Sequence, residues 1–420
     1  MENCVTFMNR SASSLAIHGG PKAVTAVRAA PRRWGREELE RLTAMVEQPS
    51  LFYWNGPQTN ALLDEFRRTY PLKWCMPCSS GSASLHIAVA ALRLPPGSEI
   101  ITSPVTDMGS VIGVLYQQCV PVFADIHPHT YNLDPADVRR RITPKTRAIM
   151  VVHLAGNPSD MDALMAIARE HGLAVIEDCA QSWGACHRGK PVGLFGRLAC
   201  YSLNEYKHIS SGDGGIVGTN DEAIGPSLTK WGDKHYDRVT GGRNPETLSP
   251  NYRISEPQSA VAAAQMVKLP GIIAAHIRLG TRLLGRLREL ALPGVMLPEV
   301  DPRDTHSFWF VLLRLELACF RCTREEFVAA LVAEGAHAVA GYIPKPVYRY
   351  PLFQHHDFFG GGWPLRDAGL TTMDYRNVSC PVAEAMLLDG VSLPISPTMP
   401  DEMMDQTADA LAKVVRYFAA

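Results

Sequence analysis

Between Glu99 and Ile176 the chain alternates apolar runs of strand length with helical stretches: Ile100-Ile-Thr102, a helix over 108–117, Val120-Pro-Val-Phe-Ala124, Ala148-Ile-Met-Val-Val-His153, a helix over 161–171, and Leu173-Ala-Val-Ile176. No other feature narrows the fold as much. The strand runs lack polar alternation, so both of their faces are buried, and repeated strand–helix–strand units give a mostly parallel sheet covered by helices on both sides. Open sheets of this α/β kind bind ligands at the carboxyl ends of their strands. The run through Ile176 ends in Glu177 and Asp178, which places a carboxylate at that edge.

Downstream, Cys200-Tyr-Ser-Leu-Asn-Glu-Tyr-Lys-His-Ile-Ser-Ser-Gly-Asp-Gly-Gly-Ile-Val217 sets Lys207 between an apolar run ending at Ser202 and a glycine-rich turn. Glycine accepts positive φ and lets backbone approach a ligand closely, so a lysine beside such a turn can belong to a site. A Schiff-base lysine with a carboxylate partner for a pyridinium nitrogen is the pair that pyridoxal phosphate chemistry requires, and Lys207 and Asp178 are the candidates. Cys78-Ser-Ser-Gly-Ser-Ala-Ser-Leu85 opens a helix with the apolar stripe Leu85, Ala88, Val89 and Leu92. Small residues at a helix N-terminus leave N–H groups free for a phosphate, although a plain serine cap explains the same residues.

Taken in order, Glu177-Asp-Cys-Ala-Gln-Ser-Trp-Gly-Ala185, Tyr201-Ser202, Lys207 and Gly212-Asp-Gly-Gly215 resemble the DegT-type sugar and cyclitol aminotransferases, which are fold-type-I pyridoxal phosphate enzymes. The resemblance runs from Leu15 to the C-terminal helix. It implies an N-terminal arm over 1–30, a cofactor-binding large domain over 31–268 with a mostly parallel sheet of the seven-stranded type, and a smaller α+β domain over 269–420. It also implies roles: Lys207 as Schiff-base residue and proton carrier, Asp178 on the pyridine nitrogen, Gln181 on the phenolic oxygen, and Ser202 with Gly81, Ser82 and Ala83 on the phosphate. Asn251-Tyr-Arg253 and Glu256 resemble the segment that reaches the neighbouring subunit's site, Asn251 near the phosphate, which implies a homodimer with shared sites.

The implied reaction moves an amino group from glutamate or glutamine to a keto-sugar or keto-cyclitol, in aminosugar or aminocyclitol biosynthesis of the antibiotic type. Leu15-Ala-Ile-His-Gly-Gly-Pro21 is similar to the opening of the cyclitol aminotransferases and aminohydroxybenzoate synthases. One position departs from the family. Asp107 stands where members place an aromatic residue on the cofactor ring, so Met108 or another residue covers the ring, or Asp107 meets the substrate. A sugar lyase or dehydratase and a non-catalytic regulator are the alternatives; dehydratases of the family carry His in place of Lys207, and a regulator would have lost Lys207 or Asp178.

Composition sets the remaining bounds. At 420 residues, 46% apolar and 20% charged, with a formal net charge of -1, the chain gives no reason to expect nucleic acid or an anionic membrane as partner. The start, Met1 to Val24, has no signal-peptide pattern and no run approaches a bilayer's thickness, so a cytoplasmic location is expected. Ten cysteines in a chain of this length are no disulfide framework, and Cys75/Cys78 and Cys319/Cys322 lie too far apart for a zinc ribbon. No metal is expected. His355-His356 reads as an exposed loop pair, His153 as a hydrogen-bonded core residue, and 230–252 as a cationic binding loop or solvated connector. Further helices are expected over 36–47, with Leu39, Leu42 and Val46 on one stripe, over 271–290 and over 403–418, and Thr323 with Glu326 reads as a capping box. Tyr342-Ile-Pro-Lys-Pro-Val-Tyr348 resembles a family loop near the substrate entrance.

Overall fold

In the computed structural model, which describes residues 14–30 and 32–420, the alternating stretch builds the expected sheet; residues 1–13 of the arm and Pro31 lie outside the described residues. Its strands are β1 (Trp74–Cys78), β2 (Glu99–Thr102), β3 (Val120–Phe123), β4 (Thr146–Val152) and β5 (Ala174–Asp178), then, after a small hairpin of β6 (Cys186–His187) and β7 (Lys190–Pro191), β8 (Leu198–Ser202) and β9 (Gly215–Thr219). The order is β1-β9-β8-β5-β4-β2-β3, with β9 antiparallel to both of its neighbours and the other pairings parallel. Burial along β3, β4 and β5 is nearly continuous, which is why these strands read as unbroken apolar runs.

The helices α1 (Arg36–Val46), α2 (Pro57–Thr69), α3 (Gly81–Ala91), α4 (Gly109–Tyr116), α5 (Pro135–Arg141) and α6 (Met161–His171) accompany this sheet. α3 is apolar around almost its whole circumference and runs beneath β8 and β9 with ten buried residues. α1 forms where its spacing places it, but Leu39 and Val46 on its apolar stripe are 65% and 75% exposed. Among the described residues nothing covers Leu39 and Val46, while Leu42 between them is half-buried.

α7 (Glu256–Leu290) is 35 residues long and begins well before the expected start at Gly271. Pro270 sits inside it on a solvent-exposed position, while Leu269 and Ile273 on either side are buried, so packing on both flanks carries the helix through the proline. Its first half packs on α2 and α1 and its second half on the C-terminal helix. The helix is therefore common to both cores. By length and composition it is the described helix able to cross a bilayer, but half of its apolar window is buried inside the protein.

A second sheet, in the order β10-β11-β13-β12, follows from β10 (Val295–Met296), β11 (Phe310–Leu315), β12 (Val339–Ala340) and β13 (Gly390–Pro394). α8 (Arg324–Ala333) opens with the Thr323–Glu326 capping box, short α9 (Pro351–His355), α10 (Pro364–Asp367) and α11 (Pro381–Asp389) follow, and α12 (Asp401–Phe418) closes the chain. Leu15 and Val24 of the arm are buried in this core, and buried Glu334 holds the arm by accepting from the Ala16 and Ala23 N–H groups while pairing with Lys413. His355 is exposed as expected, but His356 is buried among Trp363 and Tyr375. Segment 230–252 is more ordered than a connector: Asp233 bridges to Asn251, and the buried Asp233 carboxylate accepts from Tyr53 Oη and the Arg238 guanidinium.

Candidate active site

At the carboxyl edge of the large sheet three chain ends meet in register, because Ser202 pairs with Gly215 and Gly215 pairs with Cys78. The chain then turns at Ser79-Ser80 into α3. Ser80 caps that helix, its hydroxyl accepting from the Ala83 N–H at 3.0 Å. Gly81 lies so close to β8 that an added Cβ would stand 2.7 Å from Ser202 Cβ, and one on Gly215 would stand 2.3 Å from the Ser80 carbonyl oxygen. Glycine is required at both positions, and the helix start with Gly81, Ser82 and Ala83 is thereby pressed against Ser202. The serine-cap explanation and the phosphate explanation are both compatible with this turn, since Ser80 occupies only the third of the open N–H groups.

One pairing along, Asp178 ends β5 and is 4% exposed. Its carboxylate accepts from Ser110 Oγ at 2.7 Å and from the Ala180 N–H at 3.1 Å. Burial pushes the carboxyl up, opposed by the Ser110 and Ala180 hydrogen bonds and then by the charge of Lys207. Gln181 spans two segments: its oxygen accepts from the Ala155 N–H at 2.9 Å and its amide donates to Tyr342 Oη at 2.9 Å.

Lys207 Nζ lies 3.9 Å from the centroid of the Trp309 ring. Burial lowers its pKa to about 8, against the opposing charges of Asp178 and Asp107. At neutral pH that leaves roughly a tenth of the amine uncharged, hundreds of times more than for a lysine in water. Trp309 is fixed at both ends, its backbone N–H donating to the Ala155 carbonyl at 2.9 Å and its Nε1–H to the Tyr206 carbonyl at 2.7 Å. Arg33 holds the Lys207 loop from behind, its guanidinium donating to the carbonyl oxygens of Glu205, Lys207 and His208.

The profile of the DegT/DnrJ/EryC1/StrS aminotransferase family matches residues 33–412. The chain belongs to this family. A putative L-glutamine:3-amino-2,3-dideoxy-scyllo-inosose aminotransferase of Micromonospora echinospora is 31% identical over 419 residues, covering 95% of this chain and 96% of the relative. A pleiotropic regulatory protein of Geobacillus stearothermophilus is 32% identical over 352 residues, covering 81% and 85%. Among solved structures, 3-amino-5-hydroxybenzoic acid synthase superposes with a TM-score of 0.82 at 25% identity, over 93% of this chain and 99% of that one. The fold is that of the fold-type-I aminotransferases, and the cofactor of this aminotransferase is pyridoxal phosphate.

The donor set fits that cofactor. A glycine-lined helix start, a buried carboxylate with hydrogen-bonding capacity to spare and an amine of lowered pKa converge on one sheet edge. Lys207, Asp178, Gln181, Ser202 and the Gly81–Ala83 turn are thus gathered together. Asn251 stands apart: it is exposed, and its neighbour Tyr252 accepts from the Ser79 N–H of the same chain. Glu256 of the same segment is buried and caps α2 through the Gln58 and Thr59 N–H groups, a structural task within its own protomer. Asp107 is exposed, with Oδ1 accepting from the Gly109 N–H at 2.8 Å. Met108 packs against the apolar cluster around Val105 and Leu154, and the aromatic ring beside Lys207 is that of Trp309, with Tyr342 edge-on against it.

Arg33, Ser110 and Trp309 were not legible as site residues in the sequence. Trp309 carried the best signal, an aromatic run Phe308-Trp-Phe310 at the start of a strand, whereas one arginine in Arg32-Arg33 has none. His153, Glu177 and Cys179 lie close enough to suggest a metal, but Glu177 accepts from His153 and from the Gly193, Phe195 and Gly196 N–H groups. Those bonds use the donor atoms a metal would need.

Proposed function

We propose that this aminotransferase moves an amino group from glutamate or glutamine to the ketone of a sugar or cyclitol, using Lys207 as its acid–base group and Asp178 as the partner of the cofactor's ring nitrogen. The observation that carries the reading is the amine of lowered pKa facing a buried carboxylate beside the Gly81–Ala83 turn. Family membership and the cyclitol aminotransferase similarity over nearly the whole chain support the substrate class.

Bound pyridoxal phosphate supplies an aldehyde that exchanges amino groups and a ring that accepts an electron pair. The protein does the rest. The open N–H groups of Gly81 and Ser82, with the Ser202 hydroxyl, would hold the phosphate. Asp178, whose own charge is disfavoured by burial, would gain from a proton on the cofactor's ring nitrogen and so would favour the protonated ring. Gln181, fixed by Ala155 and Tyr342, has a second amide hydrogen for the phenolic oxygen. With the cofactor bound, the Lys207 amine would be the group that holds and moves the proton, and a pKa of about 8 lets its Nζ release and recapture a proton at neutral pH. The ketone partner then enters the same place and the steps run in reverse.

The exposed α1 stripe of Leu39 and Val46, with Leu51 at 53% exposure nearby in the chain, supports a homodimer as the active unit, in which Asn251 serves the neighbouring site. A role in antibiotic-type aminosugar or aminocyclitol synthesis in the cytoplasm completes the proposal. Lys207 and Asp178 are both retained, which favours catalysis over a purely regulatory part.

The test is an absorbance spectrum of purified holoenzyme before and after glutamate or glutamine. Conversion of the cofactor band by one donor, absent in Lys207→Ala, supports the reading. Turnover surviving in Lys207→Ala sinks it.

A further inference from the structure

The two residues that flank Lys207 are cross-bonded to the turn opposite. On one side Trp309 Nε1–H donates to the Tyr206 carbonyl at 2.7 Å; on the other, His208 donates from Nε2 to the Ser307 carbonyl at 3.1 Å. The bonds cross over in reverse order, 206 with 309 and 208 with 307, and between them Lys207 Nζ reaches to 3.9 Å from the Trp309 centroid. Side chains thus fix the register of two segments as a strand pairing would.

His276 of α7 extends the clasp. Its ring lies 4.8 Å from that of His208, and its Nδ1–H donates to the next carbonyl of the turn, that of Phe308, at 2.8 Å. Phe308 has a φ of +47, where a non-glycine residue is strained and held by its surroundings. Its N–H donates to His306 Nδ1 at 2.8 Å and its ring stacks on His306 at 3.9 Å. Gly280 of α7 makes room for that ring, since an added Cβ would stand 2.2 Å from Phe308 Cγ.

Both bonded imidazoles are neutral. His208 Nδ1 is buried and without a hydrogen-bond partner among the described residues, so a proton there would have no acceptor. Burial lowers the pKa of His276 to about 4 and holds that of His208 well below its usual value, with the charges of His276 and Lys207 acting the same way on His208. Each ring therefore offers one N–H, at Nε2 in His208 and at Nδ1 in His276.

Resting on the transferase reading above, we propose that His208 and His276 are positioning residues that hold the Lys207 amine against the Trp309 ring, out of water, whenever it is not joined to the cofactor. Neither touches a reacting atom. Arg33 gathers the backbone of the loop, and the two histidines fix the turn toward which its lysine points.

The test uses the ring atoms, because a Gln amide nitrogen stands where His Nε2 does and an Asn amide nitrogen where His Nδ1 does. Competitive acetylation of the full-length apoprotein, read on the Lys207 peptide by mass spectrometry, gives the midpoint of that amine's titration. His208→Gln and His276→Asn should keep the wild-type midpoint near pH 8, whereas His208→Asn and His276→Gln should raise it by about one unit, because a loosened loop admits water. Asp178 and Asp107, whose charges act on this amine, are unchanged in all four variants. In the holoenzymes the second pair should lose about tenfold in kcat with KM for the amino donor little changed, and the first pair should lose little. Asn and Gln behaving alike at both positions, or thermal stability falling with no change in midpoint, overturns the assignment. The spectral response of wild-type holoenzyme to glutamate or glutamine reports separately on the transferase reading: if it is missing while the midpoints follow the ring atoms, that reading fails and the placement of Lys207 stands.

Discussion

Glu177 and Asp178 are adjacent on one buried strand end and point to opposite faces of the sheet, yet their surroundings differ in kind. Glu177, fully buried, accepts four hydrogen bonds, from His153 at 3.2 Å and from the Gly193, Phe195 and Gly196 N–H groups at 2.6, 2.7 and 2.5 Å. His153 is fixed in turn, its Nδ1 accepting from the Ser159 N–H at 3.1 Å, so Nε2 carries the proton toward Glu177. Asp178 accepts two, and burial pushes its carboxyl up. A carboxylate with all of its acceptor positions filled by the chain stabilises the loop it organises. One left short of partners, next to an amine, keeps its capacity for a cation from outside.

The largest effect expected from this difference falls on stability. Glu177→Ala strands one buried and two half-buried N–H groups and a buried histidine and should cost about 3–5 kcal/mol in urea denaturation. Asp178→Asn should leave the denaturation midpoint nearly unchanged, because removing a disfavoured buried charge offsets the altered hydrogen bonds, while lowering kcat on the order of 10²–10³-fold. If Asp178→Asn unfolds the protein as readily as Glu177→Ala, the two acids are alike and the contrast is lost.

The lysine sharpens the same contrast through pH. Only the uncharged amine attacks an aldehyde, and the folded-state pKa of Lys207 is lowered to about 8. The rate of cofactor capture by apoprotein should therefore rise about tenfold per pH unit up to roughly pH 8 and level off above it. Asp107 and Asp178 both raise that pKa, so Asp107→Asn should move the plateau to lower pH. A plateau appearing only near pH 10 would mean that the lysine is not desolvated.

Much of this was readable in the chain, and the reasons are specific. β2 through β5 are buried on both faces, so their apolar continuity survived into the structure, and α6 formed over the very residues its periodicity marks. Lys207 and Asp178 were readable as candidates because the proposed chemistry needs a lysine near a glycine turn and an acid at a strand end. α7 was not, because Pro270 reads locally as a helix break and only packing against α2 and α12, distant in sequence, overrides it. The direction of α1 was equally hidden: its stripe is apolar, but nothing in its own sequence says that Leu39 and Val46 stay exposed among the described residues. Site residues contributed from far away left the weakest trace, since Trp309 and Arg33 act on Lys207 across long stretches of chain.

Arg33 provides the smallest and most discriminating test. Its guanidinium gathers the Glu205, Lys207 and His208 carbonyls, and its own carbonyl accepts from Gln265 Nε2 at 2.9 Å, which ties the lysine loop to α7. It touches no group that reacts, so its effect should run through the position of Lys207. Arg33→Ala should lower kcat by roughly tenfold, with KM for the amino donor little changed, as a misplacement of the proton carrier predicts. The capture plateau near pH 8 should shift upward too, because a loosened loop admits water and relieves the desolvation of the amine. Arg33→Lys can satisfy only part of the fork and should fall between. A loss of stability without either kinetic change would make Arg33 a structural strut, and the two faces of the sheet edge would then differ only in their acids.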